Sequence, residues 1–133
     1  MTASKVLFDT WAWWEVLQGS AEGAALRRRY LDESGFQVLT ASITLGELSA
    51  KLSSEGVPDS VPLTINSVRN ASTIVDLTGE LAVDAGLLRT RLRKRAKSAS
   101  LADGIVLATA RQHGAKLISV DRTFDGEPDV SSR

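Results

Sequence analysis

SLADGIVLATARQHGAKLISVDRTFDG, residues Ser100 to Gly126, is the stretch from which the fold is read. Its first half has the pattern of a helix, and from Leu101 to Ala110 the only polar side chains are Asp103 and Thr109. A helix that is apolar all round is a buried helix, which leaves Asp103 no solvated face. An unpaired buried carboxylate is costly and needs a partner, a proton or a metal ion. His113-Gly114 is a helix stop. The apolar run from Lys116 to Val120 then predicts a strand ending on Asp121. Two carboxylates are thereby held by rigid elements, one at a helix start and one at a strand end.

Upstream, short apolar runs alternate with helical patterns. Val6 to Phe8 predict a strand that ends on Asp9, and its lack of polar alternation suits a parallel strand covered on both faces. Thr10 is a suitable N-cap for a helix carrying Trp11, Trp13, Trp14, Val16 and Leu17. Ser20 caps a second helix through Tyr30 and Leu31, ended by Gly35, and Phe36 to Thr40 form a second strand. Ser42 caps a helix to about Ser54, closed by Gly56. On that helix Glu47 shares a face with Ile43, Gly46 and Ala50, small enough for close approach by another element. A helix after Pro58 and Pro62 reaches Asn70, and Thr73 to Leu77 form a third strand. Thr78 caps an amphipathic helix with Leu81, Ala82, Ala85, Leu88 and Leu92. The alternation predicts one α/β domain over residues 1–133, with a mostly parallel central sheet of four to five strands.

Composition narrows the function classes. Sixteen Lys and Arg balance sixteen Asp and Glu, so net charge does not decide for or against a nucleic-acid partner. The absence of cysteine removes disulfides, thiolate metal sites and cysteine nucleophiles. No run of about 18 apolar residues exists, and the first residues lack the basic start of a signal peptide. The expectation is a cytoplasmic protein without a membrane partner.

The chemistry is carried by acids. Asp9 and Asp121 end predicted strands, and in an open parallel sheet the site lies beyond the carboxyl ends of the strands. Asp103 opens a helix and Glu47 lies near the start of one that follows a strand, so all four acids can face one edge. Carboxylates without histidine or cysteine form a hard-cation set that suits Mg²⁺ or Mn²⁺. Such a site can activate water against a phosphodiester. Each acid also has a plainer role: Asp9 and Asp121 as turn residues, Glu47 as a solvated helix charge, and Asp103 in a capping box with Ser100. Capping and ligation are compatible. Asp125 and Asp84 are accessory or solvated. The basic run Arg89, Arg91, Arg93, Lys94, Arg95 and Lys97 suits either a helix C-terminus or phosphate contacts beside the acidic site. Arg27, Arg28 and Arg29 read as a solvated face. Trp11, Trp13 and Trp14 cannot all face one way, so one is exposed or at a partner interface.

With these residues in place, the chain resembles the PIN domain family, and within it the VapC toxins of prokaryotic toxin–antitoxin pairs. The resemblance rests on VLFDTWAWWE, ITLGELSAKL and SLADGIVLATARQHGAKLISVDRTF, and on the spacing between them. It implies a three-layer α/β/α PIN-like fold and a Mg²⁺- or Mn²⁺-dependent endoribonuclease. By position the family's metal-binding and catalytic acids fall on Asp9, Glu47, Asp103 and Asp121, with supporting hydroxyls at Thr10 and Ser119. Serine stands at 119 where threonine is commoner. The resemblance further implies an RNA substrate, a homodimer and a small antitoxin partner, with the tryptophan-rich first helix a candidate antitoxin groove. A PIN nuclease that processes RNA without being a toxin is the alternative. A signalling receiver domain is disfavoured, because that fold wants paired acids after its first strand and a lysine after its last. A binding module without activity is disfavoured by the intact acids.

Overall fold

Strand β1 (Ser4–Phe8) lies in the middle of the sheet, and its side chains show why its run is apolar without alternation. Val6 and Phe8 enter one core with Trp13, Val38, Leu48 and Ile118. Leu7 enters the opposite core with Leu39, Leu107 and Leu117. Both faces of the strand are therefore covered, as in a parallel sheet. The computed structural model describes residues 4–32 and 35–133.

The other strands are β2 (Phe36–Ala41), β3 (Thr73–Val75), β4 (Lys116–Ile118) and β5 (Val130–Ser131). They form one parallel sheet in the order β3-β2-β1-β4-β5. One face carries α1 (Thr10–Gln18), α2 (Ala21–Leu26), α3 (Ser42–Ser54) and α4 (Val61–Ala71). On the other lie α5 (Gly79–Leu92) and α6 (Leu101–Gln112). The three-layer α/β/α expectation holds. A receiver domain has its first strand beside the third, in the order 2-1-3-4-5, so this order excludes that alternative.

Phe8 anchors the first core, its ring packed edge-on against Trp13 at 5.0 Å and Tyr30 at 5.9 Å. Such aromatic pairs add ~0.5–1.5 kcal/mol beyond their burial. In the second layer α5 and α6 approach closely at Gly104, where a Cβ would fall 2.3 Å from the Ala85 carbonyl oxygen. Only glycine permits that separation. His113 caps the end of α6, as the helix stop predicts.

Several boundaries differ from the sequence reading. Asp9, not Thr10, is the N-cap of α1, and Ala41, not Ser42, is that of α3. The Ser42 hydroxyl instead accepts the Leu77 N–H at 3.2 Å, tying α3 to the chain beyond β3. Helix α2 passes into a π-helical turn, Arg27–Leu31, and ends there, before Gly35; residues 33–34 lie outside the described part. Strand β3 stops at Val75 rather than Leu77. Strand β4 stops at Ile118 rather than Val120, because Phe8↔Ile118 is its last pair with β1. The tail supplies β5.

This topology places the site. From β1 the chain moves outward through β2 to β3, then returns through α5 and α6 to β4 on the other side of β1. The reversal falls between β1 and β4, and the carboxyl ends of strands at such a point form a crevice. The Asp9 N–H bonds to the Ile118 carbonyl at 3.3 Å, holding the two strand ends together.

Candidate active site

A pocket of about 290 Å³ opens at that crevice, lined by Asp9, Glu47, Asp103 and Asp121 with Thr10, Trp11, Val106, Val120 and Phe124 among its walls. The four acids come from four separate elements. Among the described residues no Lys, Arg or His lines the pocket.

Each carboxylate is aimed by a local hydrogen bond. Asp9 accepts the Ala12 N–H at 2.8 Å through Oδ1, using the free donors at the start of α1. Asp103 and Ser100 form a capping box: Asp103 Oδ2 accepts the Ser100 N–H at 2.8 Å, and Ser100 Oγ accepts the Asp103 N–H at 3.1 Å. Asp121 caps the 3₁₀ turn Arg122–Phe124, accepting the Thr123 N–H at 2.9 Å through Oδ1. Glu47 Oε1 accepts from the Thr10 hydroxyl at 2.6 Å. Each bond engages one oxygen of its carboxylate. Three of the acids sit at helix or turn starts, where the backbone dipole favours negative charge.

Burial is uneven. Asp103 is half-buried at the rim of α6, next to an exposed Leu101, and so does keep a solvated side. The apolar pattern of α6 seals only Gly104 to Ala110. Asp121 is exposed. Asp9 lies deeper, and burial pushes its carboxyl up to about 6. Hydrogen bonds from Ser119 and from the Ala12 N–H pull it down, while the nearby charges of Asp121 and Glu47 raise it further. Ser119 is itself buried, and its Oγ accepts the Asp121 N–H at 3.1 Å.

The expected close approach at the face of Glu47 is absent. Gly46 and Ala50 are exposed, and a Cβ at Gly46 would meet nothing within 4 Å. The small residues leave that side of Glu47 open to solvent. Asp125 does not line the acidic pocket; its carbonyl instead accepts from Arg95 Nη1 at 2.7 Å.

The basic run is partly committed to structure. Arg91 and Arg95 both pair with Glu127, whose side chain is only 7% exposed, and Arg111 lies 3.7 Å from the same carboxylate. Arg93 Nε donates to the Ala99 carbonyl at 3.0 Å, and Arg89 Nε is buried without a partner. Lys94 and Lys97 are exposed. Glu127 went unnoticed in the sequence, since nothing near it in the chain signals three arginines on distant segments. The tryptophans divide: Trp13 is buried and donates to Thr40 Oγ1 at 2.9 Å, Trp14 lies under the Lys51 ammonium, and Trp11 walls the pocket.

Donor chemistry fits a hard divalent cation: four carboxylates, no cation among them, and one acid whose charge is destabilised until positive charge arrives. As the side chains stand, no three His, Asp or Glu among the described residues form a ready-made metal cage.

The family model for the PIN domain matches residues 6–126. Comparison with curated proteins finds no significant match. Among solved structures, the chain is similar to a toxin–antitoxin complex from Klebsiella pneumoniae, with 24% identity, a TM-score of 0.72 and 94% of each chain covered. It is similar to VapBC2 from Rickettsia felis bound to a promoter DNA fragment, with 16% identity, a TM-score of 0.74 and 96% of each chain covered. It is also similar to Mycobacterium tuberculosis VapC20, described as a sarcin-ricin loop cleaving toxin, with 20% identity and a TM-score of 0.72. That likeness covers 92% of this chain and 95% of the other. At these identities the likenesses show the fold.

Proposed function

The chain belongs to the PIN domain family, and from that premise we propose that it is a metal-dependent endoribonuclease acting through Asp9, Glu47, Asp103 and Asp121. The observation that carries the reading is the convergence of four acids from four elements on one pocket without a cation. Asp9, Asp103 and Asp121 would hold Mg²⁺ or Mn²⁺, with Glu47 completing the set. A bound divalent ion supplies an activated water and neutralises charge on the phosphodiester during in-line displacement.

The remaining work falls to the chain. Thr10 holds Glu47 in position to orient the attacking water and accept its proton. Ser119 steadies the turn that carries Asp121, its Oγ accepting the Asp121 N–H. Phe124 and Val106 form an apolar wall that limits water at the reacting phosphate.

The fold likeness to VapC proteins supports a toxin role, with a small antitoxin as partner. A PIN nuclease of RNA processing has the same chemistry, and a short antitoxin gene beside this one would separate the two. Lys94 and Lys97, with the free edges of Arg91 and Arg95, are proposed as RNA phosphate contacts. Homodimerisation is proposed through the outer face of α5.

The test is cleavage of a mixed RNA pool with Mn²⁺, with EDTA, and by Asp103→Asn. Cleavage should require the metal, and Asp103→Asn should lower it at least ~100-fold, the scale expected for a lost charged group in the site, with an unchanged circular dichroism spectrum. Wild-type activity in Asp103→Asn would sink the proposal.

A further inference from the structure

A second, larger groove of about 590 Å³ adjoins the acidic pocket. The two share a wall made by Trp11 and Val120. Beyond it the groove is lined by Arg28, Arg29 and Arg133, against one acid, Glu22. Arg28 and Arg29 are exposed and lie on the π-helical turn Arg27–Leu31. A π turn is wider than an α turn, is rare, and is frequently found at functional sites. Arg29 lies 5.4 Å over the Tyr30 ring, so its guanidinium is oriented by a buried residue.

This arrangement differs from the acidic pocket in every respect that matters to a polyanion. The pocket is negative and suits a metal ion. The groove sets three arginines against one acid on a largely apolar lining, with an aromatic side chain at the boundary between the two. Single-stranded nucleic acid is held by this combination, with bases stacked on aromatic rings and cations following the backbone.

We propose that the groove between α2 and the tail is the subsite for RNA flanking the scissile bond, with one base stacked on Trp11 and the adjoining phosphates at Arg28 and Arg29. The inference rests on the ribonuclease reading for its substrate and extends it by direction. An RNA strand leaves the acidic pocket past Trp11 toward the π turn.

The experiment measures anisotropy of a labelled, unstructured 12-nucleotide RNA of random sequence in EDTA, where no cleavage occurs, and then KM and kcat with Mn²⁺. The proteins are wild type, Trp11→Ala, the double variant Arg28→Gln/Arg29→Gln, and Arg69→Gln, an exposed cation on α4. Trp11→Ala should weaken binding ~5- to 160-fold, the range that corresponds to loss of one stacked base. The arginine double variant should weaken it and flatten the salt dependence by about 1.4 in log–log slope, from two phosphate contacts at ~0.7 each. Losses should fall mainly in KM, and Arg69→Gln should bind like wild type.

Binding by the arginine double variant that matches wild type in affinity and salt slope overturns the proposal, even where Trp11→Ala is impaired in folding. If that variant keeps RNA but loses binding to a small protein encoded by a short gene adjoining this one, where such a gene is found, the groove is a protein-docking surface and the proposal falls. RNA binding that depends on the groove without any metal-dependent cleavage would retain the subsite and remove the nuclease. Metal-dependent cleavage with unchanged KM in both variants would do the reverse.

Discussion

Asp9 is under opposing demands. It must cap α1, sit against buried strand ends and carry charge beside Asp121 and Glu47. In the ion-free protein its carboxyl is raised from 3.8 to about 6, so the folded state keeps a proton that the unfolded chain releases. The sign follows. The stabilisation is fully present below pH ~4 and is lost as pH rises through about 6. Other carboxylates act in the opposite direction, so the comparison must be with Asp9→Asn. In EDTA, the unfolding temperature of wild type minus that of Asp9→Asn should fall between pH 4 and pH 6.5. Added Mn²⁺ at neutral pH should restore wild type and leave Asp9→Asn unmoved. A difference that does not change with pH would show that Asp9 does not titrate in this range.

At the scale of elements, the precision of the site depends on where helices begin. Asp9 and Asp103 are held by the first turns of α1 and α6, so a shift of either helix moves a carboxylate. Helix α6 is held against α5 by the absence of a side chain at Gly104, one residue from Asp103. Gly104→Ala would drive a methyl group into the Ala85 carbonyl, and backbone cannot yield as a flexible side chain does. We expect a loss of ~1–3 kcal/mol in urea unfolding, the usual cost of overpacking. Cleavage should fall further than the folded fraction accounts for, because Asp103 moves with its helix. Unchanged stability would mean that the two helices slide apart freely. The Glu127 arginines act at the same scale, joining the ends of α5 and α6 to the loop after Asp121.

At the scale of the molecule, the outer face of α5 is unusual. Val83 and Leu87 are 66% and 68% exposed and stand one helical turn apart, while Leu81, Ala85 and Leu92 of the same helix are buried. Large apolar side chains grouped on a surface mark contact sites. Wild type should sediment as a dimer, and Val83→Ser/Leu87→Ser should dissociate at least ~10-fold more readily, about 1.4 kcal/mol, with helix content unchanged. A monomeric wild type at high concentration would remove the dimer from the proposed function. Among the described residues no helix is long and apolar enough to cross a membrane.

What the sequence determined by itself was local or periodic. The apolar runs mark β1, β2 and β4, the caps at Ser20, Thr78 and Ser100 stand where expected, and α6 is read from its own pattern. Asp9, Asp103 and Asp121 were legible because each lies at the start or end of such an element, and Glu47 because its helix follows a strand toward the same edge. These features depend on hydrogen bonds and side-chain spacing within a few residues, which the chain carries in its order. Tertiary structure decided the rest. Strand β4 ends at Ile118 because its partner β1 ends, and β5 exists because β4 offers it an edge. Thr10 meets Glu47 across 37 residues, Arg91 meets Glu127 across 36, and Trp11 joins the pocket to a groove lined by α2 and the tail. Such contacts depend on which faces the packed sheet brings together, and short-range periodicity does not encode that.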